Sequence, residues 1–185
     1  MQRPVKALLI DHDDSFTENV RSWLNTKTQV DVVHHSHLHK VTTSDYGLIV
    51  ISPGPKSPAD YPATQLFIKQ LPTTVPVLGI CLGLQMMYFI EGASITAYQP
   101  PLHGKTTALT CQIPEFNQTA VARYHSLRVP SNHPQFLVRA HCEEIPMWCE
   151  HKNKKWMGFQ FHPESFLTQK ADLFLDYVLR WSYAE

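Results

Sequence analysis

A cysteine at position 81 is flanked by glycines two residues away on either side, in Gly79-Ile80-Cys81-Leu82-Gly83-Leu84-Gln85, and the run is entered from the apolar Val75-Pro76-Val77-Leu78. This pattern reads as a buried strand that turns sharply into a helix with the cysteine at the bend. The glycines leave room for the tight backbone and close packing of a nucleophile elbow, which holds its side chain up into solvent. At a helix N-terminus, unpaired backbone N–H groups and the positive end of the dipole favour the thiolate, the form that attacks carbonyl carbon. The same N–H groups can receive an oxyanion. Flanking glycines alone do not exclude an inert core thiol. A second segment, Gly158-Phe159-Gln160-Phe161-His162-Pro163-Glu164-Ser165, tips the balance by offering a base and a carboxylate at i and i+2. In an extended conformation those two side chains leave the same face of the backbone. With Pro163 restricting the geometry between them, Glu164 can bond one imidazole nitrogen and turn the other toward the thiol. Cys81, His162 and Glu164 therefore make a candidate Cys-His-Glu triad.

The strands and helices around these residues read as an α/β domain. Val5 to Ile10 is a predicted strand, Ser15 to about Asn25 a helix, Val30 to Val33 and Gly47 to Ser52 strands, and Pro62 to Leu71 a helix. The strand into Cys81 and its helix follow. Near-continuous apolar strands separated by helices imply an open, mostly parallel central sheet with helices on both faces. From Ser94 to Phe161 the texture changes to short β-branched or aromatic runs broken by Pro, Asn and Gly, which predicts a small antiparallel sheet and loops. Leu173, Phe174, Tyr177, Val178 and Trp181 recur at helical spacing in a closing helix, Lys170 to Trp181. Active sites of open α/β sheets lie beyond the carboxyl ends of the strands. Asp11 to Thr17, Ser52 to Pro58, Cys81 and His162 all follow predicted strands, so the loops are expected to converge there.

The segments GICLGLQ and QFHPES resemble the signatures of class I (triad type) glutamine amidotransferases, and the resemblance spans nearly the whole chain. It implies one amidotransferase domain over residues 1–185 with a flavodoxin-like fold. Cys81 matches the family's nucleophile, His162 its base and Glu164 its orienting acid. Gly54 and Leu82 match the N–H donors of the oxyanion hole, and Gly54, Gln85, Ser126 and Leu127 match positions that hold the substrate glutamine. Leu9-Ile10-Asp11-His12-Asp13-Asp14-Ser15-Phe16-Thr17, Ser52-Pro53-Gly54-Pro55 and Arg123-Tyr124-His125-Ser126-Leu127 look like the branch serving chorismate-using synthases. That branch comprises the small subunits of anthranilate synthase and aminodeoxychorismate synthase. The implied activity is hydrolysis of L-glutamine through a γ-glutamyl thioester, with ammonia passed to a chorismate-binding synthase subunit in a heterodimer. No cofactor or metal is implied in this chain, and magnesium is expected in the partner. The residues leave open which of the two aromatic products is served.

Each motif has a plainer reading beside the functional one. Ser15 and Glu18 fit a helix capping box, which alone would explain them. Ser52 to Pro58, with three prolines, can be a rigid turn; it carries Lys56 where many relatives have glycine. Leu84 stands where histidine is common in the branch. Leu102-His103-Gly104-Lys105 also resembles a segment of the branch, and a turn is its plainer reading. A stand-alone γ-glutamyl hydrolase or cysteine peptidase would use the same triad, but the branch segments argue against it. A silent regulatory subunit would be expected to lack a triad residue.

Composition bounds the remaining classes. At 185 residues with 43% hydrophobic content, the chain can bury one sizeable core and is too short for two comfortable domains. Sixteen basic residues balance sixteen acidic ones without a long run of either sign, so neither nucleic acid nor an anionic membrane is an expected partner. The absence of a long apolar stretch and a charged start predict a cytoplasmic protein. The four cysteines form no C-x-x-C pair. His34, His35, His37 and His39 are dense enough to suggest a metal, with positions 35, 37 and 39 aligned on one face of a strand. No neighbouring carboxylate or cysteine completes a ligand set in the sequence, so a solvated edge or loop is expected there and no metal site.

Overall fold

The apolar runs of the first half become strands whose alternate side chains feed two separate cores. A computed structural model describes residues 6–101 and 104–184. In chain order its elements are β1 (Lys6–Asp11), α1 (Thr17–Asn25), β2 (Gln29–His34), β3 (Leu48–Ile51), α2 (Pro62–Gln70), β4 (Val77–Ile80), α3 (Leu82–Ile90), β5 (Thr96–Ala97), β6 (Lys105–Ala108), β7 (Thr110–Cys111), β8 (Ala120–Arg123), β9 (Leu127–Arg128), β10 (Phe136–Cys142), β11 (Ile145–His151), β12 (Trp156–Phe159) and α4 (Ala171–Tyr183). In β1, Ala7 and Leu9 enter a buried cluster with Trp23 and Leu24 of α1 and Phe174 and Val178 of α4. Leu8 and Ile10 enter the other, with Ile68 of α2 and Leu82 and Met86 of α3. A strand buried on both faces has no polar side to show, which is why these runs lack alternation.

The main sheet has the order β2-β1-β3-β4-β12-β11-β10-β7. The strands from β2 through β12 pair in parallel, and β12-β11-β10-β7 continue antiparallel. The expected fold class holds, with the antiparallel part divided between this continuation and two small ladders, β5-β9 and β6-β8. β12 is the junction, parallel to β4 on one side and antiparallel to β11 on the other. Among the described residues, no helix is long and apolar enough to cross a membrane. Val5, at the start of the first predicted strand, and Leu102 and His103 of the branch-like segment lie outside the described residues.

Three local expectations are corrected. Ser15 and Glu18 form no capping box: α1 begins at Thr17 with Phe16 at the N-cap and no side-chain cap. Carboxylates of the preceding loop organise that end instead. Asp14 Oδ1 accepts from the Phe16 N–H at 2.8 Å, and Asp11 Oδ1 accepts from the Thr17 hydroxyl at 2.8 Å. The histidine stretch is not an extended strand with one imidazole face. β2 ends at His34, and His35–Lys40 is a 3-10 helix whose three-residue turn does not align positions 35, 37 and 39. Finally, His162 and Glu164 do not sit in an extended segment. The Ser165 N–H donates to the His162 carbonyl at 3.3 Å, and this turn brings the carboxylate back to the ring.

Candidate active site

β4 delivers the chain to Cys81, which adopts φ 53° and ψ −100° at the N-cap of α3. A non-glycine residue there is strained, the mark of an elbow that aims one side chain. The flanking glycines are required by close approach. A Cβ on Gly79 would lie 2.4 Å from the Gly83 carbonyl carbon, and one on Gly83 would lie 2.4 Å from the Ile51 carbonyl oxygen. Elbow and neighbouring strand therefore touch backbone to backbone. Cys81 is not held up into open solvent as expected; it is 8% exposed, at the floor of a cleft. Leu84 is fully buried in the core on the α2 and α3 side of the sheet and packs over Gly158, whose added Cβ would meet it at 2.7 Å. An apolar side chain suits that place.

β8 and β12 fix the histidine. The His162 N–H donates to the Ala122 carbonyl at 3.0 Å, while the Thr168 hydroxyl donates to the His162 carbonyl at 2.6 Å. Nδ1 of His162 meets Oε1 of Glu164 at 2.6 Å, with the two side chains 3% and 0% exposed. Nε2 is buried and makes no hydrogen bond among the described residues. Burial alone would hold the imidazole below its usual range. The Glu164 carboxylate, and then Cys81, outweigh that and push it well above 6.5. The rings of Phe16 and Tyr124 close on His162, each with its centroid 5.0 Å away. Cysteine, histidine and glutamate thus come together as the sequence predicted, in a dry setting where an ion pair is strong.

The cleft above Cys81 has a volume of about 490 Å³ and is lined in part by Gly54, Gln85, Ser126, Leu127 and His162. Gly54 packs against the first residue of α3, since a Cβ on it would lie 2.2 Å from Leu82 Cδ2. The two expected oxyanion positions are therefore neighbours. Lys56 is exposed and outside the left-handed region, so the loop accommodates lysine without backbone strain. Gln85 lies one turn beyond the elbow, its N–H donating to the Cys81 carbonyl at 3.2 Å. Its side-chain amide donates to the Leu127 carbonyl at 3.3 Å and to Gln160 Oε1 at 3.2 Å. The Leu127 carbonyl also accepts from Nδ1 of His125 at 2.9 Å. Burial, with Arg123 alongside, lowers His125 to about 4, so it is neutral and serves to hold this strand bend.

Several residues of the site were not singled out from sequence. Gln160 is fully buried and its amide donates to Cys81 Sγ at 3.5 Å, because the register sets Phe159 opposite Ile80 and the Cys81 N–H bonds the Phe159 carbonyl. Its position two residues before His162 was the available signal. Phe16 and Tyr124 sat inside quoted segments, but nothing in an aromatic residue type alone assigns it to a wall. His12 lies behind Gly54, with Nδ1 3.0 Å from Ser52 Oγ and Nε2 2.9 Å from Thr64 Oγ1. Burial pushes it down to about 3, leaving a neutral ring that braces the loop.

Comparisons with known proteins bear on the family and the fold. Residues 8–180 match the family model for glutamine amidotransferase class-I. The chain is similar to an anthranilate synthase of Azospirillum brasilense, at 35% identity over 88% of this chain and 24% of that longer protein. It is also similar to the anthranilate synthase component 2 of Buchnera aphidicola from Acyrthosiphon pisum, at 30% identity over 95% of this chain and 93% of that one. The chain thus spans about a quarter of the first relative and nearly all of the second. Among solved structures, a glutamine amidotransferase from Thermotoga maritima superposes with a TM-score of 0.66 at 19% identity, over 98% of this chain and 96% of that one. A candidate GMP synthase subunit from Thermoplasma acidophilum superposes with a TM-score of 0.84 at 18% identity, over 98% and 96% of the two chains. The chain belongs to the glutamine amidotransferase class-I family.

Proposed function

We propose that this chain is the glutaminase subunit of a chorismate-using synthase, with Cys81, His162 and Glu164 as its triad. The observation that carries the reading is the buried 2.6 Å contact between His162 Nδ1 and Glu164 Oε1, made while Nε2 remains unbonded beside Cys81. The Cys81 thiolate attacks the side-chain amide carbon of L-glutamine, and backbone N–H groups of Gly54 and Leu82 stabilise the tetrahedral oxyanion. Such a donor contributes about 10²–10³ in rate. Protonated His162 gives its proton to the leaving nitrogen, and ammonia departs. A γ-glutamyl thioester remains on Cys81. His162 then takes a proton from water, whose oxygen attacks the thioester carbon; glutamate is released and the thiolate restored. Gln85 and Gln160 keep the floor of the cleft ordered, and Ser126 and Leu127 face the amino-acid end of the substrate.

Hydrolysis needs no cofactor in this scheme, and magnesium belongs to the partner's reaction. Ammonia released into bulk water is protonated and loses its nucleophilicity, so the product calls for an enclosed route into a chorismate-binding subunit. Similarity to an anthranilate synthase component 2 over nearly the whole chain supports anthranilate as the product. The test measures glutamate release by the purified protein, alone and with each candidate chorismate-binding subunit plus chorismate, with Cys81→Ala as blank. Release that requires Cys81 and rises with one partner is the expected result, and that partner identifies the product. No release with any partner, from folded protein with reduced thiol, would overturn the reading.

A further inference from the structure

The parallel register of β1 and β2 sets Asp11 opposite His34, which places the β1–α1 loop over the end of β2. Asp13 Oδ1 lies 3.1 Å from Nε2 of His34, and its Oδ2 lies 3.6 Å from Nε2 of His35. One donor atom from each residue lies within 4.8 Å of the others. The carboxylate that the histidine stretch lacked in sequence is thus supplied by folding. We propose that Asp13, His34 and His35 form a binding site for a divalent transition-metal ion of the zinc class, outside the glutamine cleft.

The donor set and its spacing carry this assignment. Two imidazoles and a carboxylate suit zinc, cobalt or nickel rather than calcium or magnesium. With ligand bonds of about 2.0–2.2 Å, neighbouring donors around a tetrahedral ion are separated by about 3.3–3.5 Å. The separations of 3.1 Å at Oδ1 and 3.6 Å at Oδ2 of Asp13 lie close to that range, and the three donors as a set lie within 4.8 Å, so small side-chain movements would gather them on one ion. The outer contacts are in place as well. The Ser36 N–H donates to Nδ1 of His34 at 3.3 Å and Ser36 Oγ lies 2.7 Å from the same nitrogen; coordination through Nε2 requires the ring proton to move to Nδ1, where the Ser36 hydroxyl oxygen can accept it. The His35 ring is stacked on His12, with centroids 5.7 Å apart and planes 2° from parallel, and meets Tyr61 edge-on at 5.0 Å. The Asp13 N–H donates to Asp11 Oδ1 at 3.0 Å, anchoring the loop. Side-chain exposures of 64%, 35% and 22% for Asp13, His34 and His35 leave an approach for the ion and for water to complete its shell.

The test is independent of the glutaminase reading. Protein of residues 1–185 without a polyhistidine tag and carrying Cys81→Ser, so that the thiol does not compete, is titrated with Zn²⁺ by calorimetry and with Co²⁺ by visible absorption. The expected result is one saturable equivalent that Asp13→Asn, His34→Gln and His35→Gln each weaken by about tenfold or more, with His37→Gln and His39→Gln within twofold. Asparagine tolerates the left-handed backbone of position 13, so Asp13→Asn keeps the loop, and circular dichroism checks each variant. Absence of saturable binding, or binding unchanged by the three ligand substitutions, would overturn the site.

Discussion

Glu164 reaches His162 at 2.6 Å across a turn of the chain, in a setting where both side chains are almost wholly enclosed. The carboxylate commits its Oε1 to Nδ1 and so leaves Nε2 as the end of the ring that can act. Orientation and charge stabilisation come from one contact.

Replacing Glu164 by glutamine preserves the shape while removing the negative charge. The imidazolium then loses the first influence that raises it against burial. We expect glutamine hydrolysis to fall by about 10⁴ in kcat, the scale seen when an orienting carboxylate is neutralised. The alkaline limb of the pH profile moves to lower pH, because in the proposed mechanism protonated His162 discharges ammonia. Steady-state glutamate release across pH, with identical rates and limbs in both proteins, would contradict this.

The same shift makes a stability statement. His162 titrates near 6.5 when unfolded and well above it when folded. Its contribution is therefore complete below about pH 6.5, where both states hold the proton. It declines as pH rises through the folded value, where only the native state still has a proton to lose, at a slope of about 1.4 kcal/mol per pH unit between the two pKa values. Urea unfolding of the natural protein and of His162→Asn should show a gap that is widest in mild acid and narrows in alkali. A gap that widened with pH would refute the assignment.

The elbow makes opposite demands on neighbouring positions. Gly79→Ala forces a Cβ to 2.4 Å from backbone and should cost about 1–3 kcal/mol or more in stability. Cys81→Gly removes a side chain from a left-handed φ of 53° and should be at least as stable as Cys81→Ala, despite the entropy that glycine ordinarily costs. Chemical denaturation of the three variants gives the order directly, and Cys81→Ala clearly exceeding Cys81→Gly would show that the elbow is unstrained.

Gln85 and Gln160 form a buried amide pair beneath Cys81, 2% and 0% exposed. Gln85→Leu leaves Gln160 Oε1 buried without its donor, at a cost of about 1–3 kcal/mol, while Gln160→Leu leaves the Gln85 amide its bond to the Leu127 carbonyl and should cost less. The double variant should cost less than the sum of the two, by about 0.5–3 kcal/mol. Melting and kcat/KM measured around this cycle check the coupling, and strict additivity would show that the pair does not act as a unit.

Much of this molecule was legible along the chain because the decisive signals are local. Continuous apolar runs announced strands covered on both faces, and helical spacing from Lys170 to Trp181 foretold α4. Gly79 and Gly83 around Cys81 specified a bend that admits no Cβ on either side. His162 and Glu164 are so close in sequence that a turn joins them as readily as the extended segment first expected. The Ser15 cap failed because the helix starts later than the pattern implies: Asp14 accepts from the Phe16 N–H, Asp11 accepts from the Thr17 hydroxyl, and α1 begins at Thr17 with Phe16 at its N-cap.

Register across strands remote in sequence belongs to the assembled sheet. Pairing Phe159 with Ile80 puts Gln160 against the thiol, and pairing Asp11 with His34 brings Asp13 to two histidines more than twenty positions away. Neither neighbourhood follows from residue type, because strand order and register are set by the summed burial of two cores rather than by the polar groups that end up side by side. Residue order along the chain was enough to pick out Cys81, His162 and Glu164 as a candidate triad, since chain connectivity and backbone sterics act within a few residues. Which wall, floor and brace surround them was settled only when the sheet closed.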